Sequence, residues 1–267
     1  MMTREEIEDA AARLFEAERS RRQIRLLSLD FPNATMDDAY KVQAALVARK
    51  VAAGGVVRGW KIGLTSKAMQ SALNIDIPDS GVLFDDMFFD DGATVPADRF
   101  IQPRIEAEIA FVMKSPLKGS AFSVSDVLHA TDYAAPVLEI LDTRIERMNA
   151  ETRKARTIFD TISDNAANAG IVLGGERIDP HQADMRWIGA IVSRNGEVEE
   201  TGLGAGVLKH PAEGIAWLAN RLAQYGQSIA PGEVVLSGSF IRPIEARHGD
   251  TIVADFGACG TVTIHFA

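Results

Sequence analysis

The chain has a single cysteine, Cys259, among 267 residues. It therefore cannot close an internal disulfide or build a multi-cysteine metal site. Long apolar runs are missing too, and nothing approaches the roughly 18 residues that a membrane helix needs. The N-terminus is charged from its fourth residue and shows no apolar signal segment, which predicts a cytoplasmic protein. Aromatics make up only 7%, little for a surface that stacks bases or sugars. Positive charge is short as well. Lys and Arg number 28 against 37 Asp and Glu, for a net charge of −9. Such a surface repels phosphate backbones and argues against a nucleic-acid partner. An anionic small-molecule substrate would then need local cations or a bound metal. No G-x-S-x-G elbow is present for serine chemistry, and the histidines have no metal-ligand spacing. Gly202-x-Gly204-x-Gly206 lacks both the spacing and the βαβ context of a dinucleotide fingerprint.

What is present is ordinary globular composition, 46% hydrophobic and 24% charged. Thr3 and Glu6 read as a capping box ahead of a first helix carrying Ile7, Ala10, Ala11, Leu14 and Phe15. Thr35 or Asp37 caps a second helix, closed by Gly54-Gly55. From Val56 strands dominate: 56–64, 105–113 and 136–142, then a hairpin over 186–202 turning at Asn195-Gly196. Ser123 caps a short helix, and His210-Pro211 opens another that runs to Gly226. Three apolar strands close the chain. Helices first and many strands later predict an α+β fold with an antiparallel or mixed sheet. The expected division is a helical N-terminal segment, 1–55, and a β-rich unit, 56–267, the two forming one continuous structural unit.

The residues with most chemical content are Glu106 and Glu108. In the strand Ile105–Met113, Ile105, Ala107, Ile109, Phe111 and Met113 face one way. The two glutamates face the other, about 7 Å apart at their Cα atoms. Adjacent carboxylates repel unless a cation lies between them or one is protonated. Oxygen-only ligands suit Mg2+ or Mn2+, while the plain alternative is a solvated strand face. Glu139 is the only charge within AAPVLEIL, and a lone acid there is costly to bury unless paired or metal-bound. Lys61, between Trp60 and Ile62, either balances an anionic substrate and moves protons or snorkels from an edge strand. Asp79 in Pro-Asp-Ser-Gly reads as a turn residue. Met87-Phe88-Phe89, between acidic pairs, calls for a pocket or an interface.

Several segments resemble one family: GWKIGLTS (59–66), PDSGVLFDDMFF (78–89), RIEAEIAFV (104–112), ATDYAAPVLEILDTR (130–144) and DTISDNAANAG (160–170). The likeness is to the 2-keto-4-pentenoate hydratase family of the fumarylacetoacetate hydrolase superfamily, and it runs from about Ile24 to the C-terminus. It implies a mixed β-roll with a helical N-terminal part. It places Glu106, Glu108 and Glu139 on the family's Mg2+ or Mn2+ ligands. Lys61 and Asp79 fall on acid/base and substrate-orienting positions, and Asp160, Ser163 and Ser239 on positions near the substrate. One departure stands out: close relatives have Tyr after the aspartate, where this chain has Ser80.

The implied activity is water addition to a 2-hydroxy-dienoate or its 2-oxo-enoate tautomer, with a seven-carbon dicarboxylate as the expected substrate. A second anion on that substrate would need a cation, for which Arg104 and Lys67 are near enough in sequence. The sister decarboxylases share the same three carboxylates, and a pentadienoate hydratase is a further alternative. A superfamily C–C hydrolase would need a His-Glu pair that the N-terminal third lacks. A non-catalytic partner of a hydratase–decarboxylase assembly is the reading from another class. The resemblance also implies a homo-oligomer, a pentamer or decamer, and admits a decarboxylase partner.

Overall fold

Thr3 starts the chain's first helix as the sequence predicts. It accepts the Glu6 N–H, while Glu6 accepts the Thr3 N–H at 2.7 Å. In this computed structural model, which describes all residues except 67–69, 71–74 and 76, α1 spans Arg4–Ser20 and α2 spans Leu27–Asp30. The third helix, α3, spans Met36–Ala52 and is capped reciprocally by Thr35 and Asp38. Ala10, Ala11 and Leu14 of α1 pack on Ala39, Val42 and Leu46 of α3. Ile145, Phe159 and Ile162, from much later in the chain, complete that cluster. Each large aliphatic side chain buried there contributes about 1.5–3 kcal/mol. No helix among the described residues is long and apolar enough to cross a membrane.

The strands build two sheets. The larger uses β1 (Val57–Gly63), β2 (Asp79–Phe84), β3 (Phe88–Phe89), β5 (Arg104–Met113), β6 (Thr131–Leu141), β7 (Asn168–Leu173), β10 (Val234–Leu236) and β11 (Ile244–Glu245). Its order is β2-β1-β10-β5-β6-β7-β3, with β11 also paired to β5. The smaller runs β4 (Thr94–Val95), β13 (Thr261–Phe266), β12 (Thr251–Asp255), β8 (Gly189–Arg194) and β9 (Glu197–Leu203). Parallel pairs β1/β10, β3/β7 and β4/β13 sit among antiparallel ones, so both sheets are mixed. Val192, Ile252 and Ile264 of the smaller sheet share one core with Ile105, Ile109 and Phe111 of β5.

Helix α4 (Val124–Ala130) is capped by Ser123, and α5 is Ile158–Ser163. Helix α6 (Pro211–Ala223) lays Ala212, Ile215 and Leu218 on the shared core. It stops three residues short of Gly226, which takes φ 69° just beyond it. The hairpin turns at Asn195 (φ 55°) and Gly196 (φ 87°), the left-handed pair that a two-residue turn demands. Met87 is buried, and Phe88 and Phe89 form β3 against β7, with the Phe89 ring 6.0 Å from that of Phe100. Phe88 and Phe89 themselves stay half-buried.

The two faces of β5 differ in character. One is wholly apolar core. The other is apolar at Ala110, packed with Val137, Ile171 and Leu236, and turns to carboxylate at Glu108 and Glu106.

Candidate metal and active site

Strand pairing assembles the carboxylates. Glu106 lies directly opposite Glu139 in the antiparallel β5/β6 register, and Glu108 follows two residues along on the same face. One oxygen from each of the three lies within 4.8 Å of the others. Glu108 and Glu139 are completely buried and Glu106 half-buried. The Gly238 N–H donates to Glu108 Oε2 at 2.7 Å. Glu108 Oε1 and both oxygens of Glu139 have no hydrogen-bond partner. Burial, together with repulsion from neighbouring carboxylates at Glu106 and Glu108, shifts all three acids upward. Burial and then the Glu139 carboxylate push Glu106 up to about 8. Burial, Glu139 and Glu106 raise Glu108 well above the carboxylate range. Burial raises Glu139 as well, against the pull of Lys61. Orphaned, buried, all-oxygen donors at this spacing fit a Mg2+ or Mn2+ ion.

Lys61 and Asp79 sit against the same cluster from β1 and β2. Lys61 is 3% exposed; its Nζ is 3.2 Å from Glu139 Oε1 and donates to the Ala166 carbonyl at 3.1 Å. Burial opposes its charge, but Glu139, Asp79, Glu106 and Glu108 together outweigh burial and raise its pKa. Asp79 is paired with Gly63 across β1/β2, and a Cβ on Gly63 would collide with Asp79 Oδ1 and stand 3.4 Å from Lys61 Nζ. Burial raises the Asp79 carboxyl, with Lys61 opposing, and its Oδ1 has no hydrogen-bond partner. The Ala166 carbonyl reaches Lys61 because Asn165, Ala166 and Ala167 are all left-handed, at φ 52°, 52° and 58°. Non-glycine residues seldom adopt that region in succession. Asn165 braces the turn by bonding both the N–H and the carbonyl of Val82.

Comparisons with known proteins align almost the whole chain, although no family model matches it. The chain is 54% identical, over 96% of its own length and 96% of the relative, to 2-oxo-hept-4-ene-1,7-dioate hydratase of Escherichia coli. It is 37% identical to 2-keto-4-pentenoate hydratase of Paraburkholderia xenovorans (strain LB400), over 99% of this chain and 96% of that one. The chain belongs to the 2-keto-4-pentenoate hydratase family. Among solved structures, 4-oxalocrotonate decarboxylase from Pseudomonas putida G7, complexed with magnesium and adipate, superposes with TM-score 0.94 at 34% identity, covering 100% of this chain and 99% of that one. The fold is that of the fumarylacetoacetate hydrolase superfamily.

Set on this family fold, the residues singled out from sequence divide. Glu106, Glu108, Glu139, Lys61 and Asp79 come together. Asp79 is a buried strand residue, not the turn residue its Pro-Asp-Ser-Gly context suggested, because Ser80 and Gly81 continue in β2 opposite Ile62 and Lys61. Ser163 is fully buried with an unpartnered hydroxyl. The Asp160 carboxylate accepts from the Ser28 N–H at 2.9 Å and from the Thr157 N–H and hydroxyl, capping α5. The Ser239 hydroxyl donates to the Ile241 carbonyl at 2.9 Å and accepts the Ile241 N–H. Arg104 lies at the start of β5 with its guanidinium 3.3 Å from Glu245. Lys67 lies outside the described residues.

Sequence reading missed three contributors. The Ser237 hydroxyl is buried and unpartnered beside the Gly238 amide that serves Glu108. Gly238 itself has φ 108°, and a Cβ there would strike Thr65. Arg144 and Asp164, both buried, form an ion pair at 2.5 Å that holds the segment leading to the Asn165 turn. A charged residue in DTR or SDN gives no hint of its partner from sequence alone.

Proposed function

We propose that the protein is a Mg2+-dependent hydratase of the aromatic-compound breakdown routes. It adds water to 2-oxo-hept-4-ene-1,7-dioate to give the 4-hydroxy-2-oxo diacid. The observation that carries this reading is the Glu106–Glu108–Glu139 cluster with Lys61 and Asp79 against it, in a chain 54% identical end to end to a hydratase of that substrate. The diacid places the reaction in homoprotocatechuate meta-cleavage. A homo-oligomer is also our reading. Trp187, Ile191, Val198 and Leu203, all exposed on the outer β8/β9 side, support it.

Glu106, Glu108 and Glu139 would hold the cation. Bound there, it supplies Lewis-acid stabilisation of negative charge on the 2-oxo acid end of the substrate. The chain's own groups handle protons. A proton leaves C3 and one is delivered to C5, moving the double bond into conjugation with the C2 ketone. Water then places OH on C4 and a proton on C3. Asp79, whose buried carboxyl binds protons more tightly than usual, is the group that takes and returns them. Lys61 stays an ammonium because of its carboxylate neighbours, and it stabilises charge at the substrate's oxygens. The left-handed turn at 165–167 fixes its Nζ through the Ala166 carbonyl.

The sister decarboxylase is the second reading, supported by the close superposition on 4-oxalocrotonate decarboxylase. The same enolate follows loss of CO2, so the carboxylates serve either reaction. Purified protein given freshly made 2-hydroxy-dienoates, with CO2 and water addition read separately, separates them. Hydration without CO2 is expected; CO2 as the sole product would overturn the hydratase reading, and no turnover with metal present would favour a non-catalytic partner.

A further inference from the structure

Past Glu106 the metal strand continues to a cluster of arginines. Arg104 is on the same face of β5 as Glu106 and opposite Leu141 of β6, one side-chain step beyond the Glu106/Glu139 pair. The chain leaves β6 through Asp142 and Thr143 and folds a hairpin over this strand end. Met148 bridges Ala155, and the Arg156 N–H donates to the Arg147 carbonyl at 3.0 Å. The hairpin thus sets Arg147 and Arg156 side by side, next to Arg104.

Their charges are incompletely answered. Arg104 has Glu245, but neither Arg147 nor Arg156 has an ion pair among the described residues. Arg147 donates to the Gln102 carbonyl at 3.1 Å and Arg156 to the Thr143 hydroxyl at 3.0 Å, both neutral acceptors. Asp142, the nearest buried acid in sequence, is occupied by the Ile101 and Gln102 amides. Asp164 is the acid that acts most on Arg156, with Asp79 also in range, while Arg144 and Arg104 oppose its charge. Burial, with Arg104 and Arg156 beside it, pushes Arg147 down to about 10. Arg104 and Arg147 also line a cleft of about 420 Å3 with Arg247 and His248. Half-buried guanidiniums with no ion-pair partner, as at Arg147 and Arg156, favour an anion in a protein of net charge −9.

We infer that Arg156, set by the 147–156 hairpin beside Arg147 and Arg104, takes the distal carboxylate of a dicarboxylate substrate whose 2-oxo acid end lies at Glu106, Glu108 and Glu139. This rests on the hydratase reading above. An extended seven-carbon chain spans about 7–8 Å, comparable to the single side-chain step from Glu106 to Arg104. A five-carbon monoacid would leave the arginines unused.

The test compares wild type, Arg156→Gln and Arg156→Lys on the seven-carbon diacid and on 2-hydroxypenta-2,4-dienoate. Inhibition by adipate, a non-reacting diacid, is measured alongside. Arg156→Gln should lower the diacid-to-monoacid ratio of kcat/KM about 10–100-fold, chiefly through KM, and weaken adipate inhibition by a similar factor. Arg156→Lys, which keeps the charge but loses the fork, should restore part of the ratio and serves if the glutamine variant does not fold. Equal losses on both substrates, or an unchanged ratio, would overturn the inference while leaving the hydratase reading intact. Wild-type protein that hydrates neither substrate would instead sink the hydratase reading.

Discussion

Glu139 is the residue on which most of the chemistry converges. It is fully buried, faces Glu106 across the strands, touches Lys61, and has neither oxygen hydrogen-bonded. Glu139→Gln should therefore abolish both cation binding and turnover. Lys61→Met should behave differently. Turnover should fall about 10²–10⁴-fold, while cation affinity should hold or rise, because a competing positive charge has left the cluster. Calorimetric titration with Mg2+ distinguishes the two, and loss of binding in Lys61→Met would contradict the assignment. The carboxyls also set a pH dependence. Glu106 is raised from 4.5 to about 8 in the metal-free protein, so the folded state binds protons the unfolded state has released. Stability from that shift is complete below about pH 4.5 and is lost as pH rises toward 8. Metal-free protein should thus have a lower Tm at about pH 8 than at about pH 6, and saturating Mg2+ should raise Tm more at the higher pH, where fewer protons compete for the site. A Mg2+ shift that is larger at the lower pH would count against carboxylate ligation.

Among the elements, β5 was the most legible in the sequence. Strict alternation in IEAEIAFVM, with Glu106 and Glu108 on one side, carries both its strand character and the shared direction of the two acids. Lone apolar context marked Glu139 and Lys61 in the same way. Asp79 was obscured because Pro and Gly beside it are turn formers locally, whereas pairing with β1 decides its conformation. Asp160 and Ser239 were singled out by family likeness alone, and the capping and turn bonds they make were not legible in the sequence. Gly238 and the Arg144–Asp164 pair depend on contacts made only in three dimensions. Gly238→Ala should destabilise the protein by roughly 1–3 kcal/mol, since φ 108° and Thr65 both oppose a side chain. It should also weaken cation binding through the displaced amide on Glu108. Asp164→Ala leaves the buried Arg144 guanidinium unpaired and should cost about 3–5 kcal/mol. Denaturant unfolding with and without Mg2+ measures both, and a neutral Asp164→Ala would show that Arg144 finds another partner.

For the whole molecule, the two mixed sheets share a single core and leave one face of the larger sheet to change from apolar to anionic along β5. Burying three glutamates without a cation is costly, so fold and chemistry are linked through occupancy of that face. The sequence order of helices and strands was enough for an α+β fold. It could not supply the strand order β2-β1-β10-β5-β6-β7-β3, which joins segments more than a hundred residues apart. The most direct test is hydration rate against free Mg2+ in exhaustively chelated protein, with bound metal counted on the same samples. Turnover should be absent without metal and should recover in step with one Mg2+ per chain. Full turnover with no bound metal would contradict the assignment of Glu106, Glu108 and Glu139 as the ligands of a required cation.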